Sequence, residues 1–130
     1  MNDSLKKINE ATTGLQYISE SDFPFEPVYL SKPTTSLPEE LVRLAGQPPT
    51  ALVAIVTLEQ FFRPMTTNYA ETTPEQKQTA LRFRELQRLL QEKLANLQVY
   101  KIGRVRAEVF IIGRLNDGSY GGLKTIVIET

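Results

Sequence analysis

The clearest periodicity in the chain lies in its second half. Ala80, Phe83, Leu86, Leu90, Leu94 and Leu97 recur at the three- and four-residue spacing that lays one apolar stripe along a helix. Thr73, Pro74 and Gln76 precede the stripe as N-cap, first helical residue and the member that completes a capping box. The pattern predicts a helix from Thr73 to near Asn96, with Arg82, Arg84, Arg88, Glu92 and Lys93 on its outer face. Shorter patterns mark other helices. Leu5, Ile8 and Ala11/Thr12 predict one capped by Asp3, running to about Thr13 and closed by Gly14. Ser36 and Glu39 form a second box with Pro38 in the first turn, and Gly46 stops that helix after Ala45. Thr57 and Gln60 cap one turn through Phe61 and Phe62, which Pro64 is expected to end. Residues 63–73 are the least regular stretch.

The strand patterns are of two kinds. Val28-Tyr29-Leu30 reads as a short strand that Pro27 places at a sheet edge, and Ala51 to Val56 is a continuous apolar run that predicts a buried strand. The last third reads as a meander over Val99–Ile102, Val105–Leu115 and Leu123–Glu129. Gly103 tightens the first turn, Asn116-Asp117-Gly118 is a hairpin signal, and Gly121-Gly122 reads as loosening the return. In the middle strand Val105, Ala107, Val109 and Ile111 share one face, while Phe110 and Ile112 take the other. A strand that is apolar on both faces needs cover on both, which predicts helices on both sides of the sheet.

Composition narrows the function classes. The chain of 130 residues, 41% apolar, fits one domain spanning residues 1–130 with a real core. It has no His and no Cys, which removes the commonest general acid–base group, the commonest metal ligand and the best nucleophile. No cofactor or metal site of its own is expected. No apolar run approaches the roughly 20 residues that span a bilayer. No secretory signal core is visible in the first residues, so a cytoplasmic protein without membrane attachment is expected. Net charge is zero but unevenly spread: residues 1–75 hold ten acids and five bases, and residues 76–130 hold five acids and ten bases. An acidic half suits a basic partner.

The final strand, Leu123 to Thr130, is expected to present a backbone carboxylate, the Thr130 hydroxyl and the Glu129 side chain at the tip of a regular element. A terminus held this way can act as an anionic probe for another protein's pocket, whereas most termini fray.

Three segments, in order, resemble the nuclease A inhibitor family. The first is Gly14-Leu15 followed by Ser19-Glu20-Ser21-Asp22-Phe23-Pro24-Phe25-Glu26. The second is Phe61-Phe62 ahead of Thr66-Thr67. The third runs from Gln98-Val99-Tyr100-Lys101-Ile102-Gly103 through Val109-Phe110-Ile111-Ile112-Gly113 to Glu129-Thr130. The resemblance implies an α/β (α+β) fold, a single-domain α/β/α sandwich with a mostly antiparallel sheet and a C-terminal three-stranded meander. It also implies an inhibitor of sugar-nonspecific ββα-metal nucleases, a monomer binding its enzyme one to one. By resemblance, Glu20 pairs with an active-site arginine and Thr130 approaches the nuclease's metal by hydroxyl or carboxylate. The family's contact loop after the paired Phe residues carries a Gln and a Trp. This chain has no Trp, and Asn68, Tyr69 and Glu71 occupy that neighbourhood. Asp22 reads as a turn or cap acid, and Phe23 and Phe25 read as anchors that tie the loop to the core.

Two other classes compete. A nucleic-acid-binding module would use the basic half, through Arg82, Arg88, Lys93, Arg104 and Arg106, with Arg104 and Arg106 on one sheet face. No aromatics interleave with these charges to make a stacking platform. An enzyme would have to use Tyr100 with Lys101 or Ser119 with Tyr120, but neighbouring strand residues face opposite sides.

Overall fold

The structure is a computed structural model that describes residues 3–18, 22–31, 37–48, 50–66 and 73–128. Leu5 and Ile8 are fully buried on α1 (Asp3–Ala11), so the first stripe forms as its spacing requires. Asp3 lies in the first turn of this helix. The Thr12 hydroxyl donates to the Asn9 carbonyl at 2.7 Å, and Gly14 turns the chain away at φ +72°. The chain then makes a small antiparallel ribbon, β1 (Gln16–Ile18) and β2 (Asp22–Pro24). Asp22 opens β2, opposite Ile18 across the connection at 19–21, and its side chain lies outside the described residues.

Five strands form the main sheet: β3 (Glu26–Leu30), β4 (Val53–Val56), β5 (Ala95–Ile102), β6 (Arg106–Arg114) and β7 (Tyr120–Ile128), in the spatial order β3-β7-β6-β5-β4 with every pair antiparallel. The three-stranded meander β5-β6-β7 forms its centre. Pro27 lies within β3, and β3 is an edge strand as expected. The run at 51–56 becomes the other edge. Val53 and Val56 are half-buried, but Ala54 is exposed and Ile55 is 53% exposed, so β4 is not the buried strand that an uninterrupted apolar run suggests.

Both sheet faces are covered. On one, Val99, Ala107, Val109, Ile111, Leu123 and Val127 pack with residues of α1, α3 (Leu58–Thr66) and α4 (Pro74–Lys93). On the other, Tyr100, Ile102, Phe110 and Ile112 pack under Leu41 and Val42 of α2 (Leu37–Leu44). The alternation along β6 thus sorts its side chains between two cores as its sequence indicates. Val105 falls outside the strand and is exposed.

Thr73 caps α4, with its hydroxyl accepting from the Gln76 N–H at 3.2 Å and its own N–H donating to the Gln76 side chain at 3.0 Å. Thr57 and Gln60 make the same reciprocal pair at the start of α3. The box expected from Ser36 lies outside the described residues. Two helix ends differ from the sequence reading. α3 runs through Pro64 to Thr66, because Pro64 and Gln60, the residue whose carbonyl a normal residue 64 would bond, both face solvent and water can take the freed carbonyl. α4 stops at Lys93. Leu94 is already extended, and a bulge with Asn96 at φ +53° carries the chain into β5.

Gly121 and Gly122 sit inside β7 and do not loosen a turn. A Cβ on Gly122 would fall 1.8 Å from the Ile111 carbonyl oxygen at a φ of +155°. Gly14 also has positive φ but opens onto empty space. The two sites separate a steric clash from backbone strain alone. Gly122→Ala is expected to cost about 3 kcal/mol and Gly14→Ala about 1 kcal/mol, read from urea unfolding midpoints. Equal losses at the two positions would refute the close approach of β7 to β6.

Candidate partner-binding rim

The chain before β3 is tied to the end of β7. Glu26 pairs with Lys124, and because the strands are antiparallel, residues preceding Glu26 advance alongside β7 toward its C-terminal end. The buried Thr125 hydroxyl donates to the Pro24 carbonyl at 3.0 Å and lies 3.4 Å from the Phe23 carbonyl. Tyr17 holds the other strand of the ribbon. Its ring stacks on Phe61 at 4.3 Å with planes 2° apart, and its hydroxyl donates to the Phe61 carbonyl at 2.7 Å. Phe25 is buried between Phe62 and Phe83, while Phe23 is half-buried, so the first is the stronger anchor. The ribbon that flanks segment 19–21 is thus fixed to β7 by hydrogen bonds and to α3 by an aromatic stack.

α4 brings a second segment to the same end. Ala95 pairs with Arg114, and Arg114 with Tyr120, so α4 hands over to β5 beside the start of β7. Further back, the edge of Phe83 meets Phe25 at 6.0 Å, next to the Glu26–Lys124 pair. The helix therefore runs back along β7 toward its C-terminal end, and at 1.5 Å per residue Thr73 lies about 15 Å beyond Phe83. Arg84 donates to the Thr66 carbonyl at 2.7 Å, which fastens the last turn of α3 beside the first half of α4. Arg82 donates to the Thr13 carbonyl at 2.5 Å and joins α1 to the same helix.

The described flanks of three segments, 19–21, 67–72 and 129–130, thus gather toward one end of the sheet. Glu20, Asn68, Tyr69, Glu71 and Thr130 themselves lie outside the described residues. The anchors that organise this end, Tyr17, Thr125 and Arg84, carry no motif in the sequence. Each acts through a partner at least 18 residues away, and only the fold supplies that partner.

The basic residues of the second half are mostly occupied. Arg82 and Arg84 serve backbone carbonyls, and Arg88 bridges Glu85 at 3.0 Å and Glu92 at 2.8 Å. The hydrogen bond and charge of Glu85, then the charge of Glu92, hold the Arg88 guanidinium above even its usual range. Lys93 stands 3.9 Å from Glu92. Arg104 lies in the turn between β5 and β6, so strand alternation does not align it with Arg106. On the α2 side of the sheet, burial first and then Tyr120 push the Tyr100 hydroxyl above its usual pKa. Among the described residues no group of three or more acidic side chains is placed to hold a metal, and no helix is long and apolar enough to cross a membrane.

No curated protein matches the chain. The family description that does match, nuclease A inhibitor-like protein, extends over residues 2–130 and so takes in the ribbon, the α3–α4 connection and the whole meander. By that match, the chain belongs to the nuclease A inhibitor-like protein family.

Proposed function

We propose that residues 1–130 act as a single inhibitor domain against a sugar-nonspecific, metal-dependent nuclease that cuts DNA and RNA. The family supports an inhibitor in general, and the convergence of three flanking elements at one end of the sheet is the observation that carries the finer reading. A nuclease of this kind grips phosphate with arginines and a divalent metal, so oxygens presented in the phosphate's place block it. In this reading Glu20 pairs with an active-site arginine, and Thr130 approaches the enzyme's metal by hydroxyl or carboxylate. Asn68, Tyr69 and Glu71 widen the contact, with Tyr69 taking the part of the missing Trp as a flat anchor. The inhibitor contributes no metal, cofactor or catalytic group. One inhibitor occupies one active site, in the cytoplasm.

The fixed ribbon matters to this mechanism. A carboxylate carried between strands that are already pinned costs less ordering entropy on binding than one on a free loop. Direct binding of nucleic acid is the weaker alternative, since Arg82 and Arg88 are engaged within the fold and Lys93 lies near Glu92.

Titrating the chain against the sugar-nonspecific nuclease of the same organism is expected to abolish cleavage at a one-to-one ratio. Cleavage that persists at large excess would reject that enzyme as the target. Glu20→Gln is expected to raise the inhibition constant about 100-fold, because it leaves an arginine of the enzyme buried without its counter-charge. A change below about threefold would remove Glu20 from the contact. Adding a few residues after Thr130 is expected to weaken inhibition comparably, and an unchanged constant would exclude the terminus from the mechanism.

A further inference from the structure

The two edges of the main sheet are protected very differently. At the β3 edge Pro27 supplies no N–H, and the ribbon β1–β2 lies against the continuing part of β7. Among the described residues the β4 edge has none of this. Residues 50–58 carry no charge, β4 contains no proline, and no bulge interrupts its pairing with β5. Leu52 at 59% exposure and Ile55 at 53% lie along it.

The hydrogen-bond register decides which backbone groups remain open. The Gly103 N–H donates to the Leu52 carbonyl, so Leu52, Ala54 and Val56 turn their backbone groups toward β5. Val53 and Ile55 then direct their N–H and C=O groups outward. These two residues are spaced to pair with themselves. About a two-fold axis through Ala54, Val53 of one copy meets Ile55 of the other in a hydrogen-bonded pair, and the symmetric pair forms on the other side. Ala54 faces its own counterpart at the non-hydrogen-bonded position, where Cα atoms approach to about 4.5 Å and a small side chain fits best.

The side chains also match. Val53 pairs with Ile102 and lies on the face covered by α2, where Pro38, Val42, Arg43 and Val53 help line an open hollow of about 550 Å³. In the antiparallel register the incoming Ile55 lies on that same face beside Val53, and so seats at the mouth of this hollow. The uncharged segment brings no like charges together. We infer that β4 is a docking edge for a second copy of this chain, so that the monomer expected from the resemblance joins, as concentration rises, into a dimer in which two five-stranded sheets form one continuous sheet by antiparallel β4–β4 pairing. The rim lies at the C-terminal end of β7, and β4 is the strand farthest in sheet order from β3, so each copy keeps its rim open.

Sedimentation of the full-length chain tests this over about 1 to 500 µM, where mass action shifts the equilibrium. The wild type is expected to move from 14.7 kDa toward twice that mass as concentration rises. Ile55→Pro removes an outward N–H without touching a bond to β5, and Ile55→Lys places charges across the axis. Both are expected to stay monomeric, with unchanged circular dichroism and unchanged nuclease inhibition. If one variant fails to fold, the other decides. A wild type that remains monomeric throughout, or folded variants that still dimerise, overturns the inference. Loss of inhibition in folded variants that still dimerise would assign the edge to the nuclease instead.

Discussion

The aromatic cluster of Tyr17, Phe25, Phe61, Phe62 and Phe83 is the contact on which the arrangement of this protein depends. It joins β1, the start of β3, α3 and α4, elements that have few backbone hydrogen bonds with one another. Tyr17 lies flat on Phe61, and Phe62 and Phe83 meet edge to face at 5.2 Å. Each such pair contributes about 0.5–1.5 kcal/mol beyond simple burial. The geometry matters as much as the energy. Rings in stacked and perpendicular contact fix the relative orientation of the elements that carry them, which a set of aliphatic contacts would leave looser. The Tyr17 hydroxyl adds a directional constraint by holding a carbonyl of α3.

The family function then has a physical frame. The inhibition proposed above would need oxygens from separate parts of the chain held at fixed separations. The aromatic cluster and the Thr125 hydroxyl fix the described residues that precede and follow those parts. The meander β5-β6-β7 supplies the rigid platform, because its central strand is buried on both faces and its ladders are continuous apart from one bulge near Asn96. Charge plays a different role. The basic outer face of α4 is largely neutralised by carbonyls and neighbouring acids, so it works as connective structure.

The two faces of the sheet also divide the labour. The α1, α3 and α4 side holds the larger core and carries the elements that lead to the rim. The α2 side is smaller, and it contains the pair Lys124–Glu108 at 3.6 Å, with Lys124 over the Phe110 ring at 5.7 Å. One Glu108 carboxylate oxygen is buried there with no hydrogen-bond partner among the described residues, and the Lys124 charge beside the carboxylate offsets its burial.

What the chain determined by itself was local. Thr73 with Gln76 and Thr57 with Gln60 form boxes because both partners lie within one helical turn. Gly14 closes α1 for a reason internal to the backbone, and the two faces of β6 follow from strand alternation. The order of segments along the chain was enough to indicate the family. The tertiary structure alone decided matters that depend on distant partners. It made β4 an edge even though its residues are as apolar as a buried strand's, because burial is set by what lies beside a strand. It let α3 continue through Pro64, since Pro64 and Gln60 are exposed and water can reach the carbonyl that proline leaves free. It drew Gly121 and Gly122 into β7, where Ile111 leaves no room for a side chain at Gly122. It also joined Tyr17 to Phe61, 44 residues away, and Thr125 to Pro24, 101 residues away. Contacts at such separations leave no periodic trace in the sequence, because only the assembled sheet brings their two ends together.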